Sequence, residues 1–523
     1  MTTRRGGAQL NIAGGIREFA LASPHAGAIV DGDRRLTYAA LDERSRRVGN
    51  ILLSAGLAPG DRVAVILGNR LEYPEIAGGI ARVGMQMVPI NPRLVPSEAT
   101  YIVGHSEARA TIFDDSLAEM AGPAIEKHPQ DLVLSIGGTQ LGRDYEAVLE
   151  DASPTDAEIE VDENDPFTVA YTSGTTGKPK GVMISHRSRA LTFYCTALEW
   201  GLGPGRRTIA VAPMYHGAGF AFGYGAVYTG GELWMLRAFD PEALLAMIQS
   251  SGAQSVFLVP THAQMIRALG DEKIGGYNTS SLETLYFNAA PMPHPLKLWV
   301  REAFPTAGVH ELYGSTEAGV VSNCRPPDLD RKPGSVGPPW FMTETRLVDE
   351  DGSQVEGPGT GELYTRSPFL MNGYLHDDEA TEACTTKDGF LTSGDVVRVD
   401  EENYLYVVDR KKDMIISGGT NIYPREVEDV LIRHPAVRDV AVVGLPHKTW
   451  GEQVAAFVVI DGPSNLKPEE LDVHARAELA GFKTPRRYEI VEALPRNAAG
   501  KVLKRELREA YSPHSSQDVT DQP

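Results

Sequence analysis

Between Arg34 and Pro92 the chain alternates amphipathic stretches with short runs that are apolar throughout. From Arg34-Arg35-Leu36-Thr37-Tyr38 it enters a segment with Leu41, Val48 and Leu52 at i, i+7 and i+11. That spacing predicts a helix stopping near Gly56. Gly60-Asp61-Arg62 turns into Val63-Ala64-Val65-Ile66-Leu67, apolar on both faces as a strand buried within a parallel sheet must be. A second helix is expected over residues 72–83, then another buried strand over 85–90 closed by Pro92. The alternation predicts an α/β fold of doubly wound, largely parallel sheet. Further strands are expected at Phe167 to Ala170, Gln254 to Leu258 and from Leu285.

Past Leu391 the pattern changes. A hairpin-like segment ends at Tyr404-Leu405-Tyr406-Val407-Val408-Asp409-Arg410, and the charge cluster Arg410-Lys411-Lys412-Asp413 falls where a linker would. Beyond it lie a strand at Met414 to Ile416, a Gly418-Gly419 turn and a helix with Pro424 in its first turn and Val427, Val430 and Leu431 on one face. Strands at Val440 to Val443, Val454 to Ile460 and Tyr488 to Val491, with a helix at Pro468 to Leu479, complete roughly 100 residues, enough for a separate α+β domain. The expected division is residues 1–411, then 412–511, then a polar, disordered tail over 512–523. Residues 1–15, polar and Gly-rich, are expected to be mobile.

A chain of 523 residues exceeds one ordinary core, which agrees with two domains. A formal net charge of −20 speaks against nonspecific nucleic-acid binding and requires a locally basic site for any anionic substrate. The three cysteines (Cys195, Cys324, Cys384) are scattered without metal-ligand spacing and read as free thiols in a reducing compartment. There is no signal-peptide core and no run of about 18 apolar residues, so a cytoplasmic protein without a membrane span is expected.

The densest chemistry lies at Tyr171-Thr172-Ser173-Gly174-Thr175-Thr176-Gly177-Lys178-Pro179-Lys180-Gly181, where nine of eleven residues are Ser, Thr, Gly or Lys. Glycines let backbone N–H groups converge on an anion, hydroxyls add donors and Lys180 adds a compact cation, a set suited to polyphosphate. It is not a Walker A loop, because two residues rather than four separate Gly174 from Gly177-Lys178, and Pro179 follows. A surface turn is the bland alternative. His216 follows a strand end at Pro213, at the edge where open α/β sheets bind ligands. The uncharged Gly/Ala-rich segment from Gly217 to Gly231 reads either as a tightly packed buried helix or as an acyl-pocket lining. His310-Glu311-Leu312-Tyr313-Gly314-Ser315-Thr316-Glu317 is a second glycine and hydroxyl turn at a strand end.

Together these motifs resemble the acyl-adenylate-forming superfamily of acyl-CoA synthetases, adenylation domains and luciferase, in that family's order over nearly the whole chain. The resemblance implies ATP, Mg2+ and CoA. It implies ATP or AMP binding by Thr172, Ser173, Gly174, Thr175, Thr176, Lys180, Asn288, Ala289, Ala290, Tyr313, Gly314, Ser315, Asp395 and Arg410. Tyr313 would pack on adenine, Asp395 and Arg410 would meet the ribose, Thr316 the α-phosphate, and Glu317 the Mg2+. Lys501, in Leu494-Pro495-Arg496-Asn497-Ala498-Ala499-Gly500-Lys501, matches the lysine that enters the site for adenylation. Lys412 matches the hinge, and Gly418 and Gly419 the CoA tunnel. His216 would sit beside the reacting carboxylate as a catalytic residue, with Tyr215, Gly217, Ala218, Gly219, Phe220, Gly223, Tyr286 and Cys324 lining the acyl pocket. Asn288 stands where relatives commonly carry glycine.

The activity so implied is an ATP-dependent carboxylic acid:CoA ligase working through an acyl-AMP. Residues Met214 to Gly230 hold no acid to pair an amino-acid ammonium, and the candidate pocket residues include no Arg or Lys for a second carboxylate. A hydrophobic monocarboxylic acid (fatty, aryl or polycyclic) is therefore expected. The alternatives are delivery to a carrier protein in trans and a member efficient in one half-reaction. A homodimer is a family-level expectation.

Overall fold

A computed structural model describes residues 9–157, 159–172, 178–411, 413–417, 420–460, 466–496 and 502–512. Two eight-stranded sheets dominate. One runs in the spatial order Gly319–Cys324, Gly308–Ser315, Thr284–Phe287, Ser255–Leu258, Arg207–Ala210, Glu232–Met235, Gly27–Asp31, Arg34–Thr37. The other runs Gly373–Tyr374, Lys180–Ser185, Pro166–Thr172, Gln86–Pro89, Arg62–Ile66, Ala110–Asp114, Leu132–Ile136, Arg143–Asp144. Their central pairs are parallel and antiparallel pairing is confined to the ends.

The unbroken apolar runs have a plain cause. Val63, Val65, Met87 and Phe167 from one sheet meet Ile29, Leu233, Phe257 and Tyr286 from the other in a shared core, together with helices Tyr38–Ser54, Glu72–Arg82, His186–Trp200 and Gly217–Tyr228. The alternate positions face outward into two further cores, Ala64, Ile66 and Val88 on one side and Val256, Leu258, Leu285 and Phe287 on the other. Each strand is thus buried on both faces. The helix Tyr38–Ser54 starts at Thr37, whose side chain accepts from Ala40 N at 3.3 Å. It stops at Gly56, whose φ of +88° lets Leu57 N turn back to Leu52 O.

A five-stranded antiparallel sheet (Gln354–Val355, Glu344–Val348, Gly359–Arg366, Leu391–Val399, Leu405–Arg410) adds a third layer, of which only the last hairpin was legible in the sequence. The C-terminal α+β unit pairs Ile415–Ser417 with Thr420–Ile422 and Val437–His447 with Gly451–Ile460, and sets Arg487–Ile490 parallel to the latter. Helices Pro424–Leu431 and Pro468–Glu478 cover one face of it and Lys504–Tyr511 the other.

The N-terminus differs from expectation. Residues 9–15 are docked rather than mobile: Ile12 and Ala13 are fully buried, Ile12 N donates to His186 Nδ1 at 3.3 Å, and Tyr224 Oη donates to Ile12 O at 2.9 Å. The polar composition concealed two core residues. The tail from residue 513 lies outside the described residues.

Candidate active site

Strand Pro166–Thr172 ends in the glycine- and hydroxyl-rich loop, and its partner Lys180–Ser185 leaves it, with Thr172 opposite Lys180. Ser173, Gly174, Thr175 and Thr176 lie outside the described residues, so the two ends of the expected cradle are what the structure places. Lys180 Nζ lies 3.0 Å from Asp377 Oδ2 and 5.0 Å from the Tyr374 ring centroid. Tyr374 Oη donates to Glu317 Oε1 at 3.2 Å. One phenol therefore joins the loop lysine to the carboxylate expected to hold metal.

Strand Gly308–Ser315 delivers the second motif. It hairpins directly into Gly319–Cys324, and a Cβ on Gly314 would lie 2.0 Å from Gly319 O, so only glycine lets the strands close there. Ser315 Oγ accepts from Ala318 N at 3.0 Å, and Thr316 and Glu317 sit in the turn. Tyr313 Oη donates to Asp395 Oδ2 at 2.6 Å, Ser393 Oγ donates to the same oxygen at 2.8 Å, and Arg410 Nε lies 3.1 Å from Oδ1. Desolvation, reinforced by the Asp395 charge, pushes the Tyr313 phenol well up, so it stays a donor. Tyr313, Asp395 and Arg410, far apart in sequence, form one polar wall.

Glu317 is half-buried and pairs with no Lys or Arg among the described residues. No cluster of three or more His, Cys, Asp or Glu among them would hold a metal alone. A single uncompensated carboxylate suits Mg2+, which takes one or two carboxylates and completes its shell with phosphate oxygens and water. Nearby, Asn288 Oδ1 accepts from Ala289 N at 2.6 Å, folding its amide back on a residue at φ +76°. Ala290 follows, and Met292 N is held by Glu311 Oε1 at 3.2 Å, with Glu311 itself ion-paired to buried Lys297.

On the acyl side His216 precedes helix Gly217–Tyr228, its Nε2 enclosed without a partner among the described residues. Burial, then the Arg93 cation, lowers its pKa to about 4, so the ring is neutral at pH 7. Tyr215 packs against it at 4.6 Å between centroids. Gly219 lies against Pro213, where a Cβ would fall 2.0 Å from the carbonyl oxygen, and Gly223 faces Met214. The helix is tightly packed, as the first of the two sequence readings expects.

Two expected pocket residues fall elsewhere. Phe220 points into the shared core among Tyr73, Phe167, Phe193 and Tyr224. Phe222 lies in the same core but meets Trp200, Phe257 and Tyr286, because two residues along a helix rotate the side chain to the other flank. Cys324 joins the outer core with Val211 and Leu285, and burial pushes its thiol up to about 12. Strand pleat makes the preceding residue, Asn323, the inward one, and its amide lies 3.2 Å from His310 Nδ1. His310 stands edge-on to Trp200, which is stacked with Tyr286 on one side and Trp340 on the other at 5.1 and 5.5 Å. Trp200, Phe222 and Trp340 belong to the shared core, with His310 and Asn323 buried beside Trp200; the sequence singles out none of them, nor Arg189, whose Nη2 lies 3.3 Å from the Cβ position of Gly217.

The model of the AMP-binding enzyme family matches residues 16–375, and that of the AMP-binding enzyme C-terminal domain matches residues 426–501. The chain belongs to the AMP-binding enzyme family. This AMP-binding enzyme is an AMP-forming acid–thiol ligase, and enzymes of its kind use ATP, Mg2+ and CoA. It is 37% identical over 496 residues to a feruloyl-CoA synthase of Amycolatopsis sp, covering 94% of this chain and 96% of that one. It is 32% identical over 509 residues to the fatty acid–[acyl-carrier-protein] ligase ScoC of Streptomyces coeruleorubidus, covering 95% of each. ATP-bound MatB from Rhodopseudomonas palustris superposes with a TM-score of 0.88 at 30% identity, over 97% of this chain and 100% of that one.

Three further expectations for this AMP-binding enzyme, Lys412, Gly418 with Gly419, and Lys501, fall outside the described residues. Their flanks are placed. Ser417 pairs with Thr420 across the two glycines, and Arg496 bridges Val502 across the lysine loop. No helix among the described residues is long and apolar enough to cross a membrane.

Proposed function

We propose that this ligase activates a carboxylic acid as an acyl-AMP and then transfers the acyl group to CoA. The observation that carries the reading is the pairing of two clusters drawn from all three large sheets, Lys180–Tyr374–Glu317 and Tyr313–Asp395–Arg410, joined through the short turn from Tyr313 to Glu317. A cation from the phosphate loop, an uncompensated carboxylate and an ordered acceptor for ribose hydroxyls are what a metal-bound nucleotide needs.

In this reading Thr172 and Lys180, with Ser173, Gly174, Thr175 and Thr176, bind the pyrophosphate end. Tyr313, Gly314 and Ser315, with Asn288, Ala289 and Ala290, border adenine, and Asp395 and Arg410 hold the ribose. Glu317 holds Mg2+, which when bound offsets phosphate charge. A substrate carboxylate oxygen attacks the α-phosphorus and pyrophosphate leaves, with Thr316 and Lys501 stabilising the charge there. The CoA sulfur then attacks the acyl carbon, AMP leaves with the bonding pair and the thiol proton passes to solvent. Residues 412–511 form the mobile domain, turning at Lys412 to exchange Lys501 for Gly418 and Gly419.

The acid has an apolar, flat body. Phe222 and the Trp200–Tyr286–Trp340 stack support this, as does the feruloyl-CoA synthase relative, whose name gives it an aromatic acid. CoA is favoured as acceptor, with a carrier protein as the second reading because ScoC carries that acceptor in its name. The free cysteines support a cytoplasmic setting. Mass spectrometry of products from an acid panel with ATP and Mg2+, with and without CoA, tests the proposal. Acyl-CoA and AMP are expected when CoA is present. Acyl-AMP persisting with CoA present refutes the thioester step.

A further inference from the structure

Arg189 lies on helix His186–Trp200 and is 8% exposed. Its guanidinium makes no hydrogen bond or ion pair with any described residue, and its Nε is enclosed without a partner. Burial lowers its pKa to about 10, and no neighbouring acid opposes the shift. A guanidinium buried without a counter-charge costs several kcal/mol. Such a cost is retained where a ligand supplies the missing anion.

The location says which ligand. Nη2 stands 3.3 Å from the Cβ position of Gly217, the first residue of the 12-residue helix Gly217–Tyr228. The N–H groups of Gly217, Ala218 and Gly219 have no acceptor among the described residues, and the His216 side chain does not cap them. The helix N-terminus therefore directs its positive end and free donors to the place the guanidinium reaches. The absent side chain of Gly217 leaves that approach open. His216, the residue before that first turn, also has an enclosed Nε2 without a partner among the described residues. A planar fork beside convergent N–H donors matches a carboxylate.

We propose that Arg189 and the first turn of helix Gly217–Tyr228 form a subsite for a second carboxylate, so that the acid substrate is a dicarboxylic acid. The inference rests on the ligase reading and names its substrate class. The reacting carboxylate is the poorer occupant for two reasons. A guanidinium gripping it would withdraw the electron density needed for attack on phosphorus. Adenylation would also neutralise that group and leave Arg189 unpaired again, whereas a second carboxylate stays charged through both half-reactions.

The test compares malonate, succinate, glutarate and the benzenedicarboxylates with the monomethyl ester of each. Pyrophosphate release and acyl-CoA formation are followed for the wild type and for Arg189→Leu and Arg189→Lys. The wild type should prefer one diacid over its monoester. Arg189→Leu should lower kcat/KM for that diacid roughly 10²-fold or more while leaving the monoester little changed, and Arg189→Lys should recover part of the loss. The melting temperature of Arg189→Leu should equal or exceed that of the wild type, because an unpaired buried charge has gone. Binding of the diacid should raise the wild-type melting temperature and not that of Arg189→Leu. Equal losses on diacid and monoester would assign Arg189 to the shared carboxylate and overturn the subsite. Wild-type indifference to the second carboxylate overturns it even if a variant fails to fold. Turnover of monocarboxylates alone removes the inference and leaves the ligase reading intact, whereas no AMP from any acid removes both.

Discussion

Asp395→Asn is the sharpest single perturbation of the Tyr313–Asp395–Arg410 wall. Asp395 is 3% exposed, and one of its oxygens accepts two hydroxyls, from Tyr313 at 2.6 Å and Ser393 at 2.8 Å. The other faces Arg410 Nε at 3.1 Å. An asparagine cannot serve both sides. If its oxygen keeps the hydroxyls, its NH2 meets the guanidinium, donor against donor; if it flips, the hydroxyls must turn. Each charge-assisted bond contributes about 1.5–3 kcal/mol, and a partly exposed Arg410 takes the ion pair to the low end. A net loss of about 3 kcal/mol follows, or roughly 10²-fold in an equilibrium constant. Because the same carboxylate is proposed to hold the ribose, KM for ATP should rise about 10²-fold while KM for the acid stays near its wild-type value. Pyrophosphate release at varied ATP and saturating acid measures this, with circular dichroism confirming the fold. An ATP KM within twofold of wild type in a folded variant would refute the ribose assignment.

Three other outcomes follow from the same coordinates. Lys297 and Glu311 form a buried ion pair under the loop of Asn288 and Ala289, so Lys297→Met should cost about 3–5 kcal/mol in urea unfolding by stranding a buried carboxylate; a loss below 1 kcal/mol contradicts the pairing. Buried His186 and His310 each have folded pKa values near 4, lowered by desolvation, against about 6.5 unfolded. The unfolded chain then binds the extra protons between those values, so stability is complete above pH 6.5 and is lost as pH falls toward 4, by about 3 kcal/mol per histidine; unfolding free energy that stays level over that window would count against their burial as neutral rings. Phe222→Leu should shift selectivity among aromatic acids, whereas Phe220→Leu should lower stability by about 1–2 kcal/mol and leave selectivity alone; the reverse pattern would exchange their assigned flanks.

What the sequence could and could not disclose follows from where each constraint acts. The Gly314 turn and the strand-to-loop exit after Tyr313 are local demands, met by residues adjacent in the chain, and they are legible there. Asp395 and Arg410 were placed only through family likeness, but the structure does bring them to Tyr313. Strands apolar on both faces carry no sign of which face a given residue takes, so Cys324 reads as inward where the pleat turns Asn323 that way. Arg189 was hidden more deeply. In Ser185-His186-Arg187-Ser188-Arg189 a basic residue near a helix start reads as one more solvated charge, and Arg187 is indeed half-exposed and ion-paired to Glu163 at 2.5 Å. Two residues on, the helix has turned inward and the same side chain is enclosed with no acid to meet it. The segment Gly217 to Gly231 reads as purely apolar because Arg189 reaches it from a neighbouring helix and is not part of it. The expectation of a monocarboxylic substrate rests on the absence of Arg and Lys from that segment, and the comparison of each diacid with its monoester puts that premise and the proposed Arg189 subsite to one test.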